Sequence, residues 1–210
     1  MTKKERVLAL RELLDKAYPE VRCSLNYTTP VEMLIATQLS AQCTDARVNI
    51  VTEKLFERYR SAEDFANADL EELQEYIKSA GFYKNKSKNI IACCKRLVEV
   101  YGGQVPDTME DLLTLPGTGR KTANLVLGDI FGKPAVVVDT HCMRLARRIG
   151  LTKEEEPTKI EADLKKIVPE DYQLRLCHQF VYHGRAVCTA RKPNCEACPI
   201  ASVCKRVGVK

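Results

Sequence analysis

The chain has 210 residues, of which 45% are hydrophobic and 29% charged, with a net charge of +5. It is long enough for one large domain or two small ones with sizeable cores, and too apolar for disorder. No apolar run approaches the length of a membrane span, and Met-Thr-Lys-Lys-Glu-Arg opens a charged amphipathic segment rather than a signal stretch. The expectation is a soluble cytoplasmic protein that is not secreted and has no membrane partner. Charge is unevenly placed: from Arg175 to Lys210 seven Lys/Arg residues face one acid, Glu196, so that stretch carries +6 and the remainder −1. Such a segment suits a phosphate backbone or another acidic surface, or serves as a solvated face.

The pattern is helical almost throughout. Residues 5–17 repeat Val7, Leu10, Leu14 and Ala17 at helical spacing, and Pro19 closes the segment. Thr29-Pro30-Val31-Glu32 is a capping box with proline at the first helical position, opening a helix toward Ser40. Thr44 caps a helix through Tyr59, and Ser61 with Asp64 caps the next. A helix carrying Leu70, Leu73 and Ile77 stops at Gly81, and residues 85–101 form another, ended by Gly102-Gly103. Thr108 and Asp111 open a short helix ending at Leu115-Pro116-Gly117, and a further helix runs from Arg120 to about Phe131. Ala135-Val136-Val137-Val138 is strand-like but has no partner, so it is expected as a buried connection. Two or three more helices reach about Val187. The fold class is all-α, with about ten short helices.

The ten cysteines divide into two groups. Cys23, Cys43, Cys93, Cys94, Cys142 and Cys177 are scattered through helix-like sequence and are expected to be buried packing residues. Cys188, Cys195, Cys198 and Cys204 are separated by six, two and five residues in a tail too irregular to fold without help. Four thiolates in so short a loop can enclose one metal centre, and by thiolate count zinc and a cubane iron–sulfur cluster both qualify. Zinc modules more often carry two Cys-x-x-Cys pairs, and only one occurs here.

Leu115-Pro116-Gly117-Thr118-Gly119-Arg120-Lys121 lies between two helices. Gly117 and Gly119 permit backbone angles closed to other residues, so that amide N–H groups converge on a point, and the helix opening at Arg120 adds its positive end. Such a turn can hold a phosphate without reading sequence, or can serve only as a tight helix–helix connection.

The string Leu-Pro-Gly-Thr-Gly-Arg-Lys-Thr-Ala resembles the helix–hairpin–helix of the base-excision glycosylase superfamily. Val137-Val138-Asp139-Thr140-His141 and Leu39-Ser40-Ala41-Gln42-Cys43-Thr44-Asp45 resemble two further segments of the endonuclease III family. The resemblance runs from the first helix to the cysteine tail. It implies a bifunctional DNA glycosylase and abasic-site lyase of base excision repair, acting as a monomer on double-stranded DNA with oxidised pyrimidines or abasic sites. It implies Lys121 as the lysine that forms a Schiff base with the opened sugar, and Asp139 as the catalytic aspartate. Asp139 also reads as a helix N-cap before Thr140. The DNA contacts it implies are Gly117, Gly119 and Arg120 in the hairpin, Gln42 filling the vacated base position, and Phe82 in a loop that wedges the opposite strand. Asp45 and His141 would line the lesion pocket, and Arg185, Arg191 and Lys192 would make the cysteine loop a basic finger. Phe82 alternatively packs after a C-cap glycine, and His141 alternatively serves as a cap or core residue. By the same resemblance, the six–two–five cysteine spacing carried by that family implies a 4Fe–4S cluster. Two helical domains with DNA between them follow: a six-helix domain over 22–133 with the hairpin at about 108–131, and a cluster domain of 1–21 with 134–210, its loop at 188–204.

Two rival functions share much of this pattern. An adenine-mismatch glycosylase would share the fold and cluster but cut hydrolytically, without this lysine. A non-catalytic DNA-binding iron–sulfur protein would need neither Lys121 nor Asp139.

Overall fold

The computed structural model describes residues 1–209; Lys210, the last residue of the expected cluster domain, lies outside them. Thr2 opens α1 (Lys3–Ala17) with a full capping box: its hydroxyl accepts from the Glu5 amide while the Glu5 carboxylate accepts from the Thr2 amide. The helix therefore starts two residues before the apolar repeat. Val7, Leu10 and Leu14 are buried as that repeat demands, but Ala17 is exposed in the last turn.

The capping reading carries through the next segments. Thr29 and Glu32 form the box that opens α2 (Pro30–Leu39), and Thr44 caps α3 (Asp45–Arg58). Ser61 and Asp64 box α4 (Ala62–Ala66), and Asp69 accepts from two amides at the start of α5 (Leu70–Ile77). A 3-10 turn, Lys78–Ala80, prolongs α5 to Gly81, whose φ of 72° ends it. α6 (Tyr83–Tyr101) starts two residues before the expected 85, because the chain enters it through Phe82 in a left-handed conformation with no side-chain cap to announce it. Thr108 caps α7 (Met109–Leu113), and α8 (Arg120–Asp129) follows the hairpin.

After the extended, buried run Ala135–Val138 come α9 (Thr140–Ile149), α10 (Pro157–Ile167), a 3-10 turn at Glu170–Tyr172 and α11 (Gln173–Ala186). There is no strand among the described residues. No helix among them is long and apolar enough to cross a membrane.

The chain divides into two compact units, Cys23–Gly132 and Met1–Arg22 with Lys133–Lys210. The first holds seven α-helices and a 3-10 turn where six helices are expected; two of the seven, α4 and α7, are only five residues long. Its core joins Ile35, Leu39, Leu55, Leu73, Ile77 and Ile90 around Tyr59 and Phe65, whose rings stack at 5.0 Å. Each such side chain, fully buried, contributes about 1.5–3 kcal/mol.

In the second unit α9 packs on α11, and α1 on α10. Asp15 of α1 accepts from Arg175 Nε at 2.7 Å and from Gln179 Nε2 at 2.8 Å, both on α11. Of the scattered cysteines, Cys93, Cys94, Cys142 and Cys177 are buried as expected, whereas Cys23 and Cys43 are only half-buried. Those two sit at the chain's entry to the first unit and in the turn between α2 and α3, where the fold leaves one side open.

Candidate functional site

The hairpin is built from below. Gln38, buried on α2, donates from Nε2 to the Pro116 carbonyl at 3.1 Å and to Thr118 Oγ1 at 3.3 Å. Gly117 above it has φ of 76°, where other residues are strained, and a Cβ there would stand 3.0 Å from both Gln38 Oε1 and Asn89 Cβ. Gly119 corrects the sequence reading. Its φ is −99° and ψ 177°, an extended conformation open to any residue, and a Cβ would meet nothing within 4 Å. What Gly119 leaves is space. It is the N-cap of α8 without a side-chain cap, so the first amides of that helix carry no protein acceptor from the cap. Gly117, Gly119, Arg120 and Lys121 are all exposed. A helix N-terminus without a side-chain cap favours negative charge near its first amides.

Lys121 occupies the first turn of α8. Together with Asp45, at the start of α3, and Asp129, at the end of α8, it lies within electrostatic range of the Cys23 thiol. Burial pushes that thiol up to about 12, and the two aspartates add to the rise against the lysine. Sequence reading placed Cys23 in the packing and gave Asp129 no role, since neither lies in a recognisable motif.

Gln42 and Phe82 share an unusual trait. They are two of the three non-glycine residues with positive φ among the described residues, at 53° and 49°, and both side chains are exposed. Phe82 is 63% exposed, which excludes packing after Gly81 as its role. Left-handed non-glycine residues cost energy and gather at functional sites.

In the second unit Asp139 is the N-cap of α9, its Oδ1 accepting from the Cys142 amide at 2.7 Å. His141 is half-buried on the same first turn; its Nδ1 lies 3.1 Å from Arg144 Nη2, and a Cβ on Gly184 of α11 would come within 2.5 Å of it. Arg185, Arg191 and Lys192 are exposed, at the end of α11 and on the loop before Cys195.

Cys188, Cys195, Cys198 and Cys204 are free, half-buried thiols lining one cavity with Leu145, Ile149 and Ile200. Among the described residues no three His, Cys, Asp or Glu side chains converge on a single metal ion; the thiols face a shared space instead. The surroundings fit a thiolate-bound cluster. Arg148 Nη1 lies 3.4 Å from Cys188 Sγ, the Arg206 amide donates to Cys204 Sγ at 3.4 Å, and His183 Nε2 is 3.5 Å from Cys198 Sγ. Burial, with the neighbouring thiols, pushes Cys198 and Cys204 above the usual thiol range.

The tail also has protein anchors that its composition does not reveal. Arg148 donates to the carbonyls of Thr189 and Ala190 at 2.7 and 2.8 Å, buried Arg6 donates to that of Val203, and Ile200 and Val203 are buried.

Known proteins match this chain across both units. Residues 35–170 match the model of the HhH-GPD superfamily of base excision DNA repair proteins, and residues 188–204 match the iron–sulfur binding domain of endonuclease III. The endonuclease III of Synechocystis sp. is 52% identical over 204 residues, which is 97% of this chain and 93% of that protein. A non-covalent endonuclease III–DNA complex superposes with a TM-score of 0.92 at 42% identity, covering 98% of this chain and 96% of that one. A trapped endonuclease III–DNA covalent intermediate, an estranged-adenine complex, gives the same score and identity over 98% and 97%. The chain belongs to the endonuclease III family of helix–hairpin–helix base-excision DNA repair proteins.

Proposed function

We propose that Lys121 and Asp139 carry the glycosylase and abasic-site lyase reaction of this iron–sulfur repair enzyme, and that its substrates are oxidised pyrimidines in duplex DNA. The observation that carries the reading is an exposed amine, Lys121, one residue inside a helix whose N-terminus has no side-chain cap and follows the positive-φ turn at Gly117; this arrangement suits a phosphate. The hairpin amides fix the backbone of the damaged strand, and Lys121 is presented beside it.

The unprotonated Lys121 amine attacks C1′ of the lesion nucleotide. The C1′–N bond breaks, its electron pair leaves with the base, and the base takes up a proton. The C1′–O4′ bond then breaks, its electron pair staying on the oxygen, which takes up a proton, and the Nζ lone pair forms a protonated imine with C1′. That cation acidifies the C2′ hydrogen; its removal expels the 3′ phosphate by β-elimination, and water then releases the enzyme. Asp139 stabilises the positive charge that builds at C1′, or relays a proton through water. Its Oδ1 is engaged by the cap, which leaves Oδ2 for the substrate.

A base inside a duplex has to be extruded before this chemistry. Gln42 fills the vacated space, its amide able to donate to and accept from the orphaned base, and Phe82 wedges the opposite strand. Asp45 and His141 line the lesion pocket. Cys188, Cys195, Cys198 and Cys204 hold the 4Fe–4S cluster, which when bound fixes the fold of the basic loop carrying Arg191 and Lys192. The enzyme works as a monomer in the cytoplasm.

Borohydride trapping on a duplex with one thymine glycol tests the assignment. Wild type gives a covalent adduct, Lys121→Ala gives none, and Asp139→Asn, which retains a capping side chain, gives a strongly slowed one. Tight binding without an adduct from cluster-loaded wild type overturns the lyase assignment in favour of a hydrolytic glycosylase.

A further inference from the structure

Lys86 is the one lysine of the first unit whose side chain is buried, at 7% exposure. Its ammonium donates to the Leu39 carbonyl at 2.8 Å and to the Ala80 carbonyl at 2.9 Å. Leu39 is the last residue of α2 and Ala80 the last of the 3-10 turn Lys78–Ala80. Carbonyls at such ends lack partners within their helix and carry partial negative charge, so one ammonium completes both ends at once. No carboxylate enters the balance. Burial lowers the pKa of Lys86 and only the Cys43 thiol opposes it. Burying an unpaired ammonium is unfavourable, and an apolar side chain would fill the same space without that cost.

What the charge joins is therefore informative. Three residues beyond Leu39 stands Gln42 and two beyond Ala80 stands Phe82, both left-handed and exposed. Lys86 also lies in the first turn of α6, its amide donating to the Phe82 carbonyl at 3.0 Å as that helix's opening bond. One residue thus contacts the root of each loop.

We infer that Lys86 is a positioning residue that ties the Gln42 and Phe82 loops to a single point, so that both side chains enter the duplex as one unit. The inference rests on the reading of those two side chains given above. It assigns Lys86 no contact with DNA and no part in the chemistry. Its effect belongs to base extrusion.

The test is single-turnover excision of thymine glycol from duplex DNA by the cluster-loaded full chain, read alongside fluorescence of 2-aminopurine placed opposite the lesion. Lys86→Met keeps the length and removes the charge. It is expected to slow excision about tenfold and to lose the unstacking signal, while adding less than about twofold in a Gln42→Ala/Phe82→Ala background. Lys86→Arg, which restores two donors, recovers part of the signal. If Gln42→Ala and Phe82→Ala impair excision but Lys86→Met does not, or if Lys86→Met adds its full effect to theirs, the inference falls and the reading of the two side chains stands. If neither alanine variant changes excision, that reading falls first.

Should Lys86→Met not fold, wild-type Lys86 still permits a test. Two side chains held as a unit give non-additive losses, with the double variant little worse than the more damaging single one. Losses that multiply overturn the inference.

Discussion

Gln38 lies directly beneath Gly117: its Nε2 holds the Pro116 carbonyl at 3.1 Å, and its Oε1 stands 3.0 Å from where a Gly117 Cβ would be. The hairpin is thus pinned from α2, and the glycine is required twice, for its φ of 76° and for the missing methyl. Gly117→Ala combines a left-handed penalty of about 1–2 kcal/mol with displacement of Gln38, for a total of about 2–4 kcal/mol by denaturant unfolding. Duplex affinity falls with it. Gly119→Ala meets no atom and needs no unusual angle, so it is expected to cost only the N-cap preference for glycine over alanine, about 0.5–1 kcal/mol. Equal losses at the two positions would show that turn geometry is not what the glycines supply.

Phe82 is exposed and left-handed, so removing its ring leaves the core untouched. Phe82→Ala is expected to unfold at the wild-type midpoint yet to excise a duplex lesion more slowly. The loss corresponds to about 1–3 kcal/mol of stacking, or roughly 5- to 150-fold. Phe82→Leu retains an apolar wedge and recovers much of the rate. A Phe82→Ala enzyme with wild-type excision would remove the residue from the extrusion step.

The contrast between Phe82 and Thr29 shows what a sequence reveals. Thr29 and Glu32 cap α2 through bonds spanning three residues, and Gly81 and Gly102 stop helices through their own φ, so each signal sits beside its effect. Phe82 enters α6 without a side-chain cap, and the predicted start falls two residues late. The supports of the site lie further from view. Gln38 is 78 residues from Pro116 and Lys86 is 47 from Leu39, and nothing local distinguishes either from an ordinary polar helix residue. Asp139 is readable twice, as a cap and as part of a resemblance, and its capping bond is present in the fold. The anchors of the cysteine tail escape composition altogether, because Arg6 reaches Val203 across 197 positions.

Asp15 predicts how acid acts on the second unit. Burial alone would raise its pKa, but the hydrogen bonds from Arg175 and Gln179, with the charges of Arg175 and Arg11, hold it below the usual carboxylate range. A carboxylate depressed in the fold is protonated first in the unfolded chain. Its stabilisation is therefore complete above an unfolded pKa of about 3.9 and is lost as pH falls through the lower folded value. Asp15→Asn is expected to flatten the stability profile below about pH 4 and to lower the plateau above it, read by thermal unfolding at stepped pH. An Asp15→Asn profile parallel to wild type through that window would mean the α1–α11 contact does not contribute.

Removal of the cluster separates what the metal does from what the protein does in the tail. Arg148 holds Thr189 and Ala190, Arg6 holds Val203, and the Lys205 and Val207 amides donate to Ile149 and Arg148. Between these anchors the run 191–199 is ordered by the thiol cavity and a few local bonds, among them the Asn194 amide to the Val187 carbonyl, the Thr189 hydroxyl to the Lys192 carbonyl and the Ala197 amide to Asn194 Oδ1. Cys198→Ser is expected to abolish the cluster absorbance and to open this run to trypsin after exposed Arg191. The unit Cys23–Gly132, which has its own core, stays resistant. Affinity for duplex falls with a shallower salt dependence, because Arg191 and Lys192 no longer sit on a fixed loop and fewer counterions are released. Cluster loss that leaves Arg191 protected and the salt slope unchanged would assign the order of this loop to the arginine anchors and local bonds.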